Sequence, residues 1–213
     1  MIANPDRKIS VSEISYSQEV YRKLIHLSSI WMSFAIFFLP RNISIPLFFF
    51  CMIGNIVFEY GYCKKWPFFF AAYNLFFGKM MRFENENKKF KLSGSPFVFA
   101  AAFICSLLFQ KDIGATAFAI MIIGDTAAAL IGRKFGKIKF SNSKSLEGLL
   151  SFIISSVAVL LICSFLFDFL YLKIIYGVVG VFIAGIFELY SKALKIDDNF
   201  SIPLIIGIAL SMY

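Results

Sequence analysis

Residues 117–148 read AFAIMIIGDTAAALIG followed by RKFGKIKFSNSKSLEG. The first half is an apolar run with one acidic residue, Asp125, and the second half is a loop with five basic residues and no acid before Glu147. Crossing a bilayer takes roughly 20 mostly apolar residues, and the apolar run lies within a segment of about that length. This stretch therefore predicts a membrane-spanning helix that ends in a basic loop.

The composition extends this interpretation to the whole chain. Of its 213 residues, 59% are hydrophobic and 28 are phenylalanine, whereas about 45–50% of a soluble domain is apolar. We therefore predict an all-α, polytopic transmembrane protein with one integral membrane domain, residues 1–213, whose residues 1–20 form a polar cytoplasmic segment. About seven spans are expected, at Leu24–Leu39, Ile43–Tyr60, Pro96–Phe109, Ile113–Ile131, Leu146–Phe167, Tyr171–Tyr190 and Phe200–Tyr213.

The basic residues indicate the orientation. Lys and Arg favour cytoplasmic loops, and 18 of the 21 in this chain lie in the N-terminal segment or in alternate loops, whereas the intervening loops hold only Arg41, Lys111 and Lys173. We therefore expect the N-terminus and the basic loop to face the cytoplasm, with the protein in a cell inner membrane or the endoplasmic reticulum. The basic segments are residues 1–23, 61–95, 132–145 and 191–199.

A further apolar stretch, residues 66–82, has basic residues on both flanks. A span there would move one basic flank to the outside. We therefore predict an interfacial or re-entrant helix on the cytoplasmic side, with its aromatic side chains among the lipid headgroups. A true span is the alternative.

Asp125 is the first candidate functional residue. It lies eight residues before Arg133, which places it about 12 Å deeper along a helix. An ionisable group at that depth is costly, so it must pair with a cation, bind a metal or face a wet cavity. The small residues Gly124, Ala128 and Gly132 share a helix face with one another, which suits either close helix packing or room for a ligand.

The basic loop is the second candidate. Its glycines, of which Gly136 lies inside the loop, let the backbone approach a ligand closely. Ser145 is a suitable N-cap for the next helix, and Glu147 suits the positive end of that helix dipole. A carboxylate, a basic loop and a helix N-terminus together fit a metal-bound polyphosphate, although the same charges would also serve as membrane anchors. The basic residues are Arg133, Lys134, Lys137, Lys139 and Lys144.

A second acidic position follows at the cytoplasmic start of the last predicted span. Asp197 and Asp198 stand there, and they suit either helix capping or metal coordination. The chain has one histidine, His26, which rules out a site with several histidine ligands, and its four scattered cysteines are expected to pack in the core.

These motifs resemble those of the membrane lipid-alcohol kinases, the family of dolichol kinase, phytol kinase and the CTP-dependent diacylglycerol kinase. The most specific match is GDTAAALIGRKFG followed by KSLEG, at residues 124–148. Shorter matches along the chain are YRKLIHL, FEYGY, KMMRFENE, KLSGSPFVFAAAF and DDNFSIPL.

The resemblance implies a kinase that uses CTP, or ATP, with Mg²⁺ to phosphorylate the hydroxyl of a membrane lipid alcohol such as a polyprenol, a phytol-like prenyl alcohol or diacylglycerol. It implies catalytic roles for Asp125 and Lys144 and metal binding by Asp125 and Asp198. The nucleotide would be bound by Arg133, Lys134, Gly136, Lys144 and Glu147, and Arg22, Lys23 and His26 would contact the substrate or flank the membrane.

Two alternatives remain open at this point. Phosphatidate cytidylyltransferase has a similar stretch and also uses CTP, but its further residues near the C-terminus are missing from KIDDNFSIPLIIGIALSMY. A lipid transporter without enzymatic activity would need neither the basic loop nor the paired acids. A nucleic-acid partner is not expected, and the sequence leaves the oligomeric state open.

Overall fold

The structure, a computed structural model, describes residues 16–71, 94–140, 144–194 and 196–213. These residues are helical apart from short connections, and within them the only bridge between extended segments is an isolated one, from Lys139 to Ser145. The all-α prediction is confirmed for this part of the chain. The helices are α1 (Tyr16–Ser28), α2 (Trp31–Phe38), α3 (Arg41–Cys63), α4 (Ser95–Leu108), α5 (Lys111–Phe135), α6 (Leu146–Leu166), α7 (Tyr171–Leu194) and α8 (Asp198–Ser211).

Helix α5 forms the centre of the bundle. Every residue from Ile113 to Ile122 is buried, and α5 contacts α1, α2, α4, α6 and α8. Small residues make this contact possible, because a Cβ at Gly124 would lie 2.6 Å from Ser156 Oγ, and one at Gly148 of α6 would lie 3.0 Å from the carbonyl oxygen of Ala128. The small-residue stripe of α5 therefore serves close helix packing.

Four helices are long and apolar enough to cross a membrane, namely Arg41–Cys63, Lys111–Phe135, Leu146–Leu166 and Tyr171–Ser191. Helices α4 and α8 have 14 residues each, about 21 Å at 1.5 Å per residue, which is short for a span of about 30 Å. The predicted total of about seven spans is therefore not confirmed, whereas a membrane protein with several spanning helices is.

The first predicted span, Leu24–Leu39, is not one regular helix. It covers the last turn of α1, all of α2 and a tight connection in which the amides of Ser29 and Ile30 bond to carbonyls three residues back. The hydroxyl of Ser28 bonds to the carbonyl of Ile25 at 2.6 Å, a local bond that competes with regular helix geometry. The polar segment placed at residues 1–20 is already helical from Tyr16, and residues 1–15 lie outside the described part.

Residues 66–82 are described only in part. After Lys65, which has a positive φ of 56°, residues 67–71 are helical and Phe69 packs against Gly61 of α3. Residues 72–82 lie outside the described ranges, so the choice between an interfacial helix and a span stays open. Of the cysteines, all free, Cys105 is buried as expected, but Cys63 is exposed at the end of α3 and does not pack in the core.

Candidate active site

Three carboxylates from three helices meet beside the basic loop. Asp125 of α5, Glu188 of α7 and Asp198 of α8 each offer an oxygen, and these oxygens lie within 4.8 Å of one another. Asp125 and Glu188 are only 6% and 5% exposed, and the side chain of Asp198 is 26% exposed. Three negative charges this close repel strongly in a poorly solvated place, so the group requires cations.

Two lysines supply those cations. Lys23 Nζ lies 2.5 Å from Asp125 Oδ2, and His26 Nε2 lies 3.3 Å from the same oxygen. Lys144 Nζ forms an ion pair with the carboxylate of Glu188 and lies 3.4 Å from Asp198 Oδ2. We call the three carboxylates with Lys23 and Lys144 the charged cluster.

The environment of Lys144 keeps it protonated. Burial alone would lower the pKa of its ammonium group, but the negative charges of Glu188 and Asp198 outweigh burial and raise the pKa. The ammonium group also donates to the backbone carbonyl of Glu188 at 2.6 Å. A lysine held in this way is a fixed positive charge at neutral pH, which suits it to an anionic ligand.

Local sequence places each of these side chains. Lys23 and His26 are three residues apart and so share one face of α1, the face that meets Asp125 of α5. Lys144 stands immediately before Ser145, whose hydroxyl caps α6 by accepting from the amide of Gly148 at 3.1 Å. The predicted N-cap at Ser145 is confirmed.

The start of α8 holds the third carboxylate. Asp197 is the N-cap, and its side chain accepts from the amide of Asn199 at 3.0 Å. Burial and the neighbouring charge of Asp198 raise the pKa of Asp197. Because Asp197 fulfils the capping role, the side chain of Asp198 is left to face Lys144.

A buried acid links the two arginines that the sequence singled out. Glu19 of α1 is 4% exposed. Its Oε1 lies 2.6 Å from Arg22 Nη2, and its Oε2 lies 3.5 Å from Arg133 Nη1. Glu19 therefore ties α1 to the end of α5, where the basic loop begins.

The basic loop folds back as a short hairpin. The amide of Phe140 bonds to the carbonyl of Lys144 at 2.8 Å, and the amide of Leu146 bonds to the carbonyl of Ile138 at 2.9 Å. Residues 141–143 lie outside the described part. Glu147 supports this fold, because its Oε1 accepts from the amides of Lys137 and Ile138 at 3.0 and 3.3 Å.

The predicted site residues thus fall into three groups. Asp125, Asp198, Lys144, Lys23 and His26 come together at the charged cluster. Arg22 and Arg133 meet on Glu19. Lys134, Gly136 and Glu147 make other contacts. Lys134 is exposed, with its ammonium group over the Phe135 ring. A Cβ at Gly136 would lie 2.6 Å from Ser145 Oγ, and Glu147 accepts from the amides of Lys137 and Ile138.

Sequence reasoning missed Glu188 and Glu19. Glu188, like Asp125, is an acid inside an apolar segment. Because it lies near the end of the predicted span Tyr171–Tyr190, it is indistinguishable in sequence from an ordinary charged residue at a membrane boundary. Glu19 lies in the polar N-terminal segment, where an acid beside basic residues carries no specific signal.

Comparison with known proteins gives two relatives over most of the chain. Uncharacterized protein RP860 of Rickettsia prowazekii is 33% identical over 192 residues, which cover 87% of this chain and 90% of the relative. Uncharacterized protein MJ1137 of Methanocaldococcus jannaschii is 30% identical over 203 residues, 91% of this chain and 93% of the relative.

A third relative has a described activity. CTP-dependent diacylglycerol kinase 1 of Schizosaccharomyces pombe is 28% identical over 156 residues, which cover 66% of this chain and 68% of that protein. No family model and no solved structure matches the chain.

Proposed function

Since this chain belongs to the same family as RP860 of Rickettsia prowazekii and MJ1137 of Methanocaldococcus jannaschii, and since a CTP-dependent diacylglycerol kinase is similar to two thirds of it, we propose that it is a membrane lipid kinase. The reaction would transfer the terminal phosphate of CTP, or of ATP, to the hydroxyl of a membrane lipid alcohol. The whole chain, residues 1–213, would form one domain with its active site at the cytoplasmic face.

The observation that carries this proposal is the convergence of Asp125, Glu188 and Asp198 beside a basic loop. Carboxylate oxygens are the ligands that Mg²⁺ prefers, and Mg²⁺ in nucleotide sites is held by one or two carboxylates together with phosphate oxygens. The donor set therefore fits the cation that a nucleoside triphosphate brings with it. Asp125 and Asp198 would hold the Mg²⁺, and Glu188 would join them.

The lysines of the charged cluster fit the phosphate groups of such a nucleotide. Lys23 and Lys144 form ion pairs with Asp125 and Glu188. With Mg²⁺ held by the carboxylates, the ammonium groups of Lys23 and Lys144 would be free to donate to phosphate oxygens. Arg22 and Arg133, held by Glu19, would add guanidinium donors at the end of α1 and α5.

Phosphoryl transfer requires positioning and electrostatic stabilisation more than covalent chemistry from the protein. Bound Mg²⁺ would neutralise the charge that develops on the phosphates. The protein's own contribution would be to hold the phosphates with Lys23 and Lys144 at a depth that a membrane-bound hydroxyl can reach. Asp125, about 12 Å below Arg133 along α5, is at such a depth.

The experiment that tests the proposal uses purified protein in lipid vesicles with Mg²⁺ and CTP labelled at either the γ or the α phosphate. Diacylglycerol, phytol and a polyprenol serve as acceptors. We expect γ-label to appear in at least one lipid product and no α-label. Transfer of α-label to phosphatidate would indicate a cytidylyltransferase instead, and absence of both CTP and ATP binding would indicate a transporter.

A further inference from the structure

An apolar groove runs down the bundle from the level of the charged cluster. It lies between α2, α5 and α6 and has a volume of about 380 Å³. It extends from Ile30, just before α2, to Phe38, from Ala115 to Ile123 along α5, and from Val159 of α6 to Phe167, just after that helix. Each of these stretches covers eight residue steps, so the groove is about 12 Å long.

The lining of the groove suits a hydrocarbon chain and not a headgroup. None of the residues that line it is charged. The hydroxyl of Ser33, one of its few polar groups, is already bonded to the carbonyl of Ala115 at 2.7 Å. The concavity arises because α5 presents alanines, Ala115 and Ala119, between the larger side chains of α2 and α6. Polar ligands would lose hydrogen bonds to water here without replacement.

The two ends of the groove differ. At one end it approaches the charged cluster through the segment between α1 and α2: Ile30 follows His26, which contacts Asp125, by four residues. Ile123 lies about 3 Å from Asp125 along the axis of α5 but on a different face of that helix. The segment that joins α1 to α2 therefore borders both. At the other end the rings of Phe37 and Phe167 stack with their centroids 4.5 Å apart, so α2 and α6 meet there.

We propose that this groove binds the hydrocarbon chain of the acceptor lipid alcohol, with the hydroxyl at the Ile30 end, toward His26 and the charged cluster, and the end of the chain toward Phe167. The inference rests on the proposed kinase activity for the identity of the occupant. An extended chain of single bonds, such as a protein backbone, spans at most about 3.6 Å per three bonds. About ten carbons of an extended hydrocarbon chain therefore fill the groove, which is about 12 Å long. Ala119 lies about halfway along the groove and Ala115 near its closed end. A larger side chain at either position would therefore limit the length of hydrocarbon chain that fits.

Photolabelling tests the groove without requiring activity. The probe is a long-chain primary alcohol with a diazirine about ten carbons from the hydroxyl, the reach of the groove, in vesicles of phosphatidylcholine. We expect labelling of α2, α5 and α6 that excess diacylglycerol or polyprenol suppresses. Ala119→Phe should reduce the labelling at least about tenfold, because a hydrophobic pocket rejects excess volume. Equal suppression by added phosphatidylcholine would mean that the groove holds ordinary bilayer lipid, which would overturn the proposal.

The matched control is Ala158→Phe. Ala158 is exposed on α6, one residue before Val159 and outside the groove, so this variant should label like the wild type. Nucleotide binding and thermal unfolding test whether Ala119→Phe is folded. If the phenylalanine prevents folding, Ala119→Leu is used as the groove-filling variant. A folded groove-filling variant that labels like Ala158→Phe would contradict the proposal.

A second arm measures kcat/KM with acceptors of graded chain length. Ala119→Phe should impair chains longer than about five carbons, and Ala115→Phe only chains longer than about ten. A loss that is equal for all lengths would overturn the groove assignment. Labelling that lipid alcohols suppress, found in a protein that transfers no phosphate, would contradict the kinase activity and still support the groove.

Discussion

The charge balance around Asp125 depends on single side chains. From sequence alone, Asp125→Asn would be expected to fold well, because it removes a costly charge from a membrane helix. The structure reverses that expectation, since the carboxylate of Asp125 neutralises the buried ammonium group of Lys23 at 2.5 Å. Removing one member of a buried ion pair is destabilising because the other loses its nearest partner.

Asp125→Asn should therefore be destabilised, by about 3–5 kcal/mol as for other broken buried pairs. The double variant Lys23→Met/Asp125→Asn removes both charges and should regain most of that stability. Thermal or denaturant unfolding of the three proteins in the same detergent measures the difference. A double variant less stable than Asp125→Asn would show that the pair is not the cause.

Lys144 and Lys139 form a matched pair of loop lysines. Lys144→Ala should weaken nucleotide binding by about 10–100-fold, the value of a lost charge-assisted hydrogen bond, because Lys144 lies at the carboxylates. Lys139 is exposed, so Lys139→Ala should change binding by no more than about twofold. Titration calorimetry with CTP and Mg²⁺ measures both. Equal losses would favour diffuse attraction to anionic lipid over a defined phosphate site.

At the scale of the helix, the contact between α5 and α6 depends on glycine. A Cβ at Gly124 would lie 2.6 Å from Ser156 Oγ and 2.8 Å from the Phe152 ring. Both neighbours are buried, so the added methyl group has no free space to enter.

Gly124→Ala should thus cost about 1–3 kcal/mol through overpacking. Gly54→Ala in α3 is the control, because nothing lies within 4 Å of a Cβ there, and alanine in an open helical position should be neutral or stabilising by up to about 1 kcal/mol. The two melting temperatures, compared with the wild type, test the prediction. A stabilised Gly124→Ala would mean that α5 and α6 do not pack this closely.

Membrane-spanning helices are predictable from sequence where the apolar runs are long. The expected spans Ile43–Tyr60, Ile113–Ile131 and Leu146–Phe167 correspond to α3, α5 and α6 within a few residues. The break between α1 and α2 was not predicted, because the local hydrogen bonds of this connection, such as that of Ser28 to the carbonyl of Ile25, are not visible to hydropathy. The helical structure from Tyr16, ahead of the first predicted span, was not predicted either, because α1 is amphipathic and begins in the polar segment.

At the scale of the whole molecule, the site was predictable only in part. An acid such as Asp125 is recognisable in the sequence because a charge inside an apolar segment costs free energy and requires a partner. Lys144 is recognisable because its motif places it beside a helix start. That Glu188 completes the cluster depends on how α7 packs near α5 and α8, and the sequence does not state which faces of distant helices meet. The patterns of a single sequence therefore indicate the chemistry of a site better than they identify all of its residues.

The orientation is a prediction for the whole molecule. Lys139→Cys in the basic loop should react with an impermeant thiol reagent from the cytoplasmic side, and Lys173→Cys, at the start of α7, only from the opposite side. The measurement uses sealed vesicles and a background in which the four native cysteines are replaced. Reaction of Lys139→Cys from the outside would contradict the orientation and the access of cytoplasmic CTP to the site.

The most direct test of the account is the rate of γ-phosphate transfer from CTP to lipid by Asp125→Asn, measured per folded molecule at saturating Mg²⁺. If Asp125 holds the metal at the reacting phosphate, the variant should lose roughly a thousandfold in turnover, equivalent to about 4 kcal/mol of barrier. Wild-type turnover by the folded variant would show that Asp125 is only the ion-pair partner of Lys23, and the proposed active site would be wrong.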